Sequence, residues 1–185
     1  MRSKWVRLGT LLITLIAAAG CSDSTSSVDS DPTIGPTTST IGIDDPGALP
    51  RVELIREAVT ALETQLGGPQ DYFEINATSS VVNLFVALNN GAIAQPWVYL
   101  DGELSSTEGQ PADGNTFRAD ALTFDSDTLL TKVAEQLPKA ALDAVEILGG
   151  PNGAVQYTVI VTSTNGGQLL VVVGPDGAVI SVDPV

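Results

Sequence analysis

Apolar residues recur along this chain with two different periods, and the change of period marks out its elements. Val52, Ile55, Val59, Leu62 and Leu66 are spaced three and four apart. That spacing puts them on one stripe of a helix over residues 50–66. Pro50 sits at the helix start, where an N–H is not needed, and Gly67-Gly68-Pro69 stops it. Glu53, Glu57 and Glu63 fall off the stripe and face water.

The period then shortens to two. Residues 72–77 read as a short strand, and 81–88 as a longer one that closes at the hairpin signal Asn89-Asn90-Gly91. A strand over 92–100 ends at Asp101-Gly102, and Pro96 within it implies an edge position or a bulge. Residues 103–106 make a short fourth strand. Residues 105–115, rich in Gly, Pro and Asp, read as a loop, and 117–124 fit either a strand or an extended crossover. Asp125-Ser126-Asp127 then offer N-caps to a second helix with Leu129, Leu130, Val133 and Leu137 on its apolar side. Pro138 breaks or kinks this helix, and 139–143 could add one more turn. Strand signals return at 145–148, 154–163, 168–173 and 178–182, separated by Gly149-Gly150-Pro151, Asn165-Gly166 and Pro175-Asp176-Gly177.

The order of helix, strands and turns thus occurs twice. Displaced by 75 residues, Asn90-Gly91 falls on Asn165-Gly166 and Asp101-Gly102 on Asp176-Gly177. Displaced by 72, Glu74-Ile75 falls on Glu146-Ile147. The pattern predicts an α+β fold: two helix-plus-antiparallel-meander repeats, 50–106 and 125–185, joined by 107–124 and packed as one domain. A continuous α+β domain with similar hairpins is the alternative organisation. A helix and meander closed by Pro175-Asp176-Gly177-Ala178-Val179 resembles the PepSY-type module of secreted and envelope proteins. In tandem it is similar to the β-lactamase-inhibitor-protein architecture. The resemblance implies an interaction or inhibitory role rather than catalysis.

The first 20 residues carry a different pattern. Arg2, Lys4 and Arg7 precede an apolar run from Leu8 to Ala19, too short to span a bilayer as a stable helix. The run ends in Ala18-Ala19-Gly20-Cys21. This resembles the bacterial lipobox, in which a small residue precedes the cysteine that receives diacylglycerol; Ala18 stands where that pattern prefers leucine. The resemblance implies a signal peptide over 1–20, cleavage between Gly20 and Cys21, and a lipid on Cys21. The protein would then be anchored to the cell membrane, facing outside the cytoplasm. Residues 21–49 are rich in Ser, Thr and Pro and nearly free of large apolar side chains, which predicts a disordered tether. Such a tether reaches roughly 30 Å. Leader, tether and Ala/Val/Gly/Asp-rich style together resemble lipoproteins of high-GC Gram-positive bacteria.

Composition narrows the chemistry. With three bases in the leader, five remain against 22 acids, a net charge of −17 that repels nucleic-acid phosphates. There is no histidine and one cysteine, so Ser–His and Cys–His nucleophiles, zinc sites and an internal disulfide are disfavoured. A Ser–Lys dyad could use only Lys132 or Lys139, which read as helical surface charges. Paired carboxylates for glycoside hydrolysis lack an aromatic platform to hold a sugar. Asp113-Gly114-Asn115 and Asp125-Ser126-Asp127 do not have the glycine and distal-Glu spacing of a calcium loop and read as turn and cap. No catalytic residue, metal or cofactor is expected. Trp97 and Tyr99 share one strand face with Gln95. If that face is covered they are core; if it is open they are a candidate partner surface, because Trp and Tyr dominate interface hot spots. The expected function is a non-enzymatic, membrane-anchored protein-interaction or inhibitory module with an envelope protein as partner. The alternative is a carrier of an apolar ligand or lipid in the cell envelope, which needs a cavity of several hundred Å³.

Overall fold

A computed structural model describes residues 48–185. Gly20, Cys21, the leader and nearly all of the tether lie outside the described residues. A single 3₁₀ turn, Val52–Leu54, leads into helix α1, Ile55–Leu66. Strands β1 (Asp71–Ala77), β2 (Val82–Leu88), β3 (Ile93–Leu100) and β4 (Glu103–Ser106) follow. Two short strands, β5 (Gln110–Pro111) and β6 (Phe117–Arg118), precede helix α2, Ser126–Gln136. Strands β7 (Ala140–Gly149), β8 (Val155–Ser163), β9 (Gln168–Val173) and β10 (Val179–Pro184) complete the order.

All ten strands join one antiparallel sheet in the order β10-β9-β8-β7-β1-β2-β3-β4, with β5 against β3 and β6 against β1. The fold is therefore α+β. The two meanders meet where β1 pairs with β7: Ile75 lies opposite Ile147, Asn76 opposite Glu146 and Glu74 opposite Leu148.

Both helices contribute to one core on one side of this sheet. Val52, Ile55, Ala58, Val59 and Leu62 bury the α1 stripe, whereas Leu66 in its last turn is exposed. Gly67 ends α1 in the left-handed region at φ 82°, where glycine carries no steric cost, and the Gly68 N–H reaches the Glu63 carbonyl at 2.8 Å. Asp125 caps α2, its carboxylate accepting from the Thr128 N–H at 2.8 Å. Leu129 and Val133 bury the facing stripe of α2. Side chains at alternate strand positions meet them: Val82, Leu84 and Val86 on β2, and Tyr157, Val159 and Val161 on β8. The connection between the halves is tied down by Arg56, whose guanidinium donates to the Leu122 and Phe124 carbonyls and lies 5.5 Å from the Phe124 ring centre.

Four sequence expectations change. Residues 139–143 do not add a helical turn; the chain is extended from Ala140, and β7 is longer than the 145–148 read from the pattern. A bulge between Leu142 and Ala144 explains the misreading. It sets the core residues Leu142 and Val145 three apart, which imitates a helical period. Residues 110–111, read as loop, pair with β3. Residues 117–124 give only the two-residue β6, followed by a 3₁₀ turn at Ala119–Ala121. Pro96 lies neither on an edge strand nor at a bulge: β3 has partners on both sides and runs in unbroken register with β2. Pairing on the side of β3 away from β2 passes from β4 at Trp97–Leu100 to β5 at Ile93 and Ala94, and Pro96 falls in the gap.

Candidate functional site

The two lysines considered for catalysis stand in a surface ion pair and in a turn. Lys132 is exposed and lies 3.5 Å from Asp176. Lys139 stands in the turn before β7. Among the described residues, no group of three or more acidic, cysteine or histidine side chains could hold a metal ion. Asp113 and Gly114 line a polar surface hollow of about 500 Å³ together with Asp71 and Asn90. A second hollow, about 570 Å³, runs along α1 past Arg56, Glu57, Thr60 and Tyr99. Both are surface features, and the buried side chains of the helices and the sheet form one core cluster.

Trp97 and Tyr99 belong to that core, at 7% and 4% exposure. They pair with Leu84 and Val82 on β2, so they point to the helix-covered side. The Tyr99 hydroxyl donates to Glu57 of α1. The Trp97 indole N–H is buried and meets no acceptor. Gln95 lies on the same side, half-buried, opposite Val86. Of the two readings of Gln95, Trp97 and Tyr99, the structure shows the covered one, and the candidate partner surface at these residues is corrected to core. Once α1 packs on this face, the large aromatics fill the core rather than meet solvent.

The opposite face of the sheet is packed by no described helix. Its register can be followed across the middle strands. Pro96 pairs with Phe85, Phe85 with Glu74, and Glu74 with Leu148. One step along, Val98 pairs with Asn83, Asn83 with Asn76, Asn76 with Glu146, Glu146 with Thr158, and Thr158 with Val172. Ile160 and Leu170 extend the apolar part towards β9. These side chains are half-buried by their neighbours, apart from the small Thr158 at 4% exposure. The face thus has a polar centre on β1, β7 and β2 and an apolar flank on each side.

The centre is acidic. Glu74 and Glu146 are diagonal neighbours across the β1–β7 junction, a placement in which side chains reach each other. The Asn76 amide donates to Glu74 at 2.7 Å, and the Asn83 amide donates to Asn76 at 2.7 Å. Glu146 makes no hydrogen bond or ion pair with another described residue. Burial, and then the charge of Glu74, push the Glu146 carboxyl up to about 7. Burial also raises Glu74, against the opposing pull of the Asn76 hydrogen bond. The pair therefore loses protons in two steps, the second of them beside an existing charge.

The described bases lie elsewhere. Arg51 pairs with Glu53, Arg118 with Asp71 and Lys132 with Asp176, and Arg56 is engaged with Phe124. Lys139 is seven residues along the chain from Glu146, roughly 23 Å of extended backbone. Sequence reasoning aligned Glu74 with Glu146 but assigned them no role. The available signal was a glutamate recurring between core positions of two otherwise apolar strands. Compared with known proteins, the chain matches no family model, no curated protein and no solved structure.

Proposed function

We propose that this protein is a non-enzymatic interaction or inhibitory module, held outside the cytoplasm by a lipid on Cys21, and that it engages a protein partner through the uncovered face of its sheet. The observation that carries this reading is the asymmetry of the sheet. One side is packed by α1 and α2, while the other presents Phe85, Pro96, Ile160, Leu170 and Val172 without a described helix over them. Apolar flanks left half-exposed on either side of a polar centre are surface of the kind that interaction sites use. The buried side chains of helices and sheet form one core cluster, which favours such a role over an apolar-ligand carrier with enclosed volume between its layers.

The order helix-then-four-strands on both sides of the β1–β7 junction supports reading the halves as a duplicated, PepSY-like unit. Ile75 and Ile147, 72 residues apart, pair with each other, as a two-fold relation between equivalent strands requires. Glu74 and Glu146 are then equivalent positions flanking that axis.

Photo-cross-linking in the native envelope tests the function. A photoreactive residue at Phe85 or Val172 is expected to trap a protein partner, and one at Thr60 on the exposed side of α1 is not. Adducts from Thr60 alone, or none from either face position, would sink the proposal.

A further inference from the structure

An acidic pair in the middle of an apolar-flanked face constrains what can lie on it. A partner that covers Glu74 and Glu146 removes them from water. Two carboxylates left uncompensated under an interface are strongly unfavourable. No described base is placed to neutralise them. The carboxylate of Glu74 is already engaged by Asn76, whereas Glu146 makes no bond to a described residue. The unmet requirement is a positive charge above Glu146, with apolar atoms to either side to meet Phe85 and Val172.

We propose that this face binds a polypeptide segment that presents a lysine or arginine between apolar side chains, the cation seated over Glu146 and Glu74. This rests on the face being the interaction surface. Charge argues against two other occupants. Residues 8–50 contain no lysine or arginine and five aspartates, so the chain's own tether would add to the repulsion. A second copy laid face to face would bring four carboxylates together.

The cation makes binding depend on pH in a defined direction. The groups facing Glu146 are Glu74 and Asn76 from β1 and Thr158 from β8. On β7 itself the nearest other acid is Asp143, which accepts from the Thr162 hydroxyl at 2.6 Å. Glu146, raised to about 7, is largely protonated at pH 6 and ionised at pH 8. A bound cation favours the ionised form, so affinity rises between those values.

The test is selection of a displayed library of random twelve-residue peptides on the full processed chain, followed by titration of the enriched peptides at pH 6 and 8. The expected peptides carry a Lys or Arg flanked by apolar residues. Their binding should fall at least about tenfold on Glu146→Gln, and further on Glu146→Lys, which supplies a cation within the protein. They should bind more tightly at pH 8 than at pH 6. Both variants relieve repulsion, so loss of fold is not the expected cause of lost binding. The footprint is read from amide resonances of β1, β2, β7 and β8. Peptides that bind on this face without a basic residue, or equally well on Glu146→Gln, overturn this inference and leave the interaction face standing. Peptides that bind only elsewhere, or a library that yields none, overturn both.

Discussion

Glu146 lies in the middle of a strand between Val145 and Ile147, both fully buried, and its own side chain points the other way. The phase of a strand assigns neighbours to opposite faces, and this much was legible from alternation. Its partner Glu74 was legible only as an equivalent position in the first half. That the two carboxylates become neighbours depends on β1 pairing with β7, which alternation does not encode. The consequence is a pH-dependent stability. The ordinary carboxyl value of 4.5 describes the unfolded chain, and about 7 the folded one. Stability from the protonated form is therefore fully present below about 4.5 and lost as pH rises through 7. After discounting for solvent screening of a half-exposed group, the effect is on the order of 1 kcal/mol. Glu146→Gln should match the wild type in urea unfolding near pH 4.5 and exceed it by about that amount at pH 8. An unchanged pH slope in the variant would count against the raised carboxyl.

Turns show how far a local motif reaches. Asp-Gly closes the third strand of each half, yet the two turns differ. Asp101 and Gly102 both have positive φ, 51° and 87°, the requirement of a two-residue hairpin that follows the strand twist. In the second half Pro175 and Asp176 precede Gly177, whose N–H returns to the Gly174 carbonyl at 2.9 Å. Gly177 also touches α2: a Cβ there would stand 2.9 Å from the Leu129 Cα and carbonyl oxygen. Gln136 of α2 fastens the same turn, donating to the Gly177 carbonyl and accepting from the Val179 N–H, both at 3.2 Å. Gly166, at φ 84°, has open space around it. Gly166→Ala should therefore cost only the left-handed backbone term, about 1–2 kcal/mol. Gly177→Ala should cost distinctly more, because the α2 backbone must also move. Equal losses of melting temperature in the two variants would show that the turn does not bear on α2. Bulges limited legibility at this scale too. Those in β1 and β7 separate Tyr72 from Ile75 and Leu142 from Val145 by three residues, so strand positions carry a helical spacing.

At the scale of the molecule, anchor and body make separate demands. The proposed lipid on Cys21 predicts that Cys21→Ala shifts the protein from the membrane fraction to the medium or leaves it unprocessed. Fully processed protein still in the membrane would overturn the anchor. Among the described strands β10 is an edge, where Ile180 is 69% exposed at a bulge and Asp183 and Pro184 close the strand. Bulge, charge and proline are the usual means of keeping an edge from pairing with another chain.

By itself the sequence determined both helices, eight of the ten strands, the hairpin turns and the recurrence of Glu-Ile between the halves. These are properties of neighbours in the chain: periodicity, capping and turn chemistry act over a few residues. Only the tertiary structure decided that the two meanders share one sheet through β1 and β7. It also decided that both helices cover the side holding Trp97 and Tyr99, and that Glu74 and Glu146 meet on the other. Alternation defines two faces of a strand, but which one is buried follows from where the helices pack, and which side chains meet on the other follows from pairing between residues some 72 positions apart; both are set by packing rather than by local pattern.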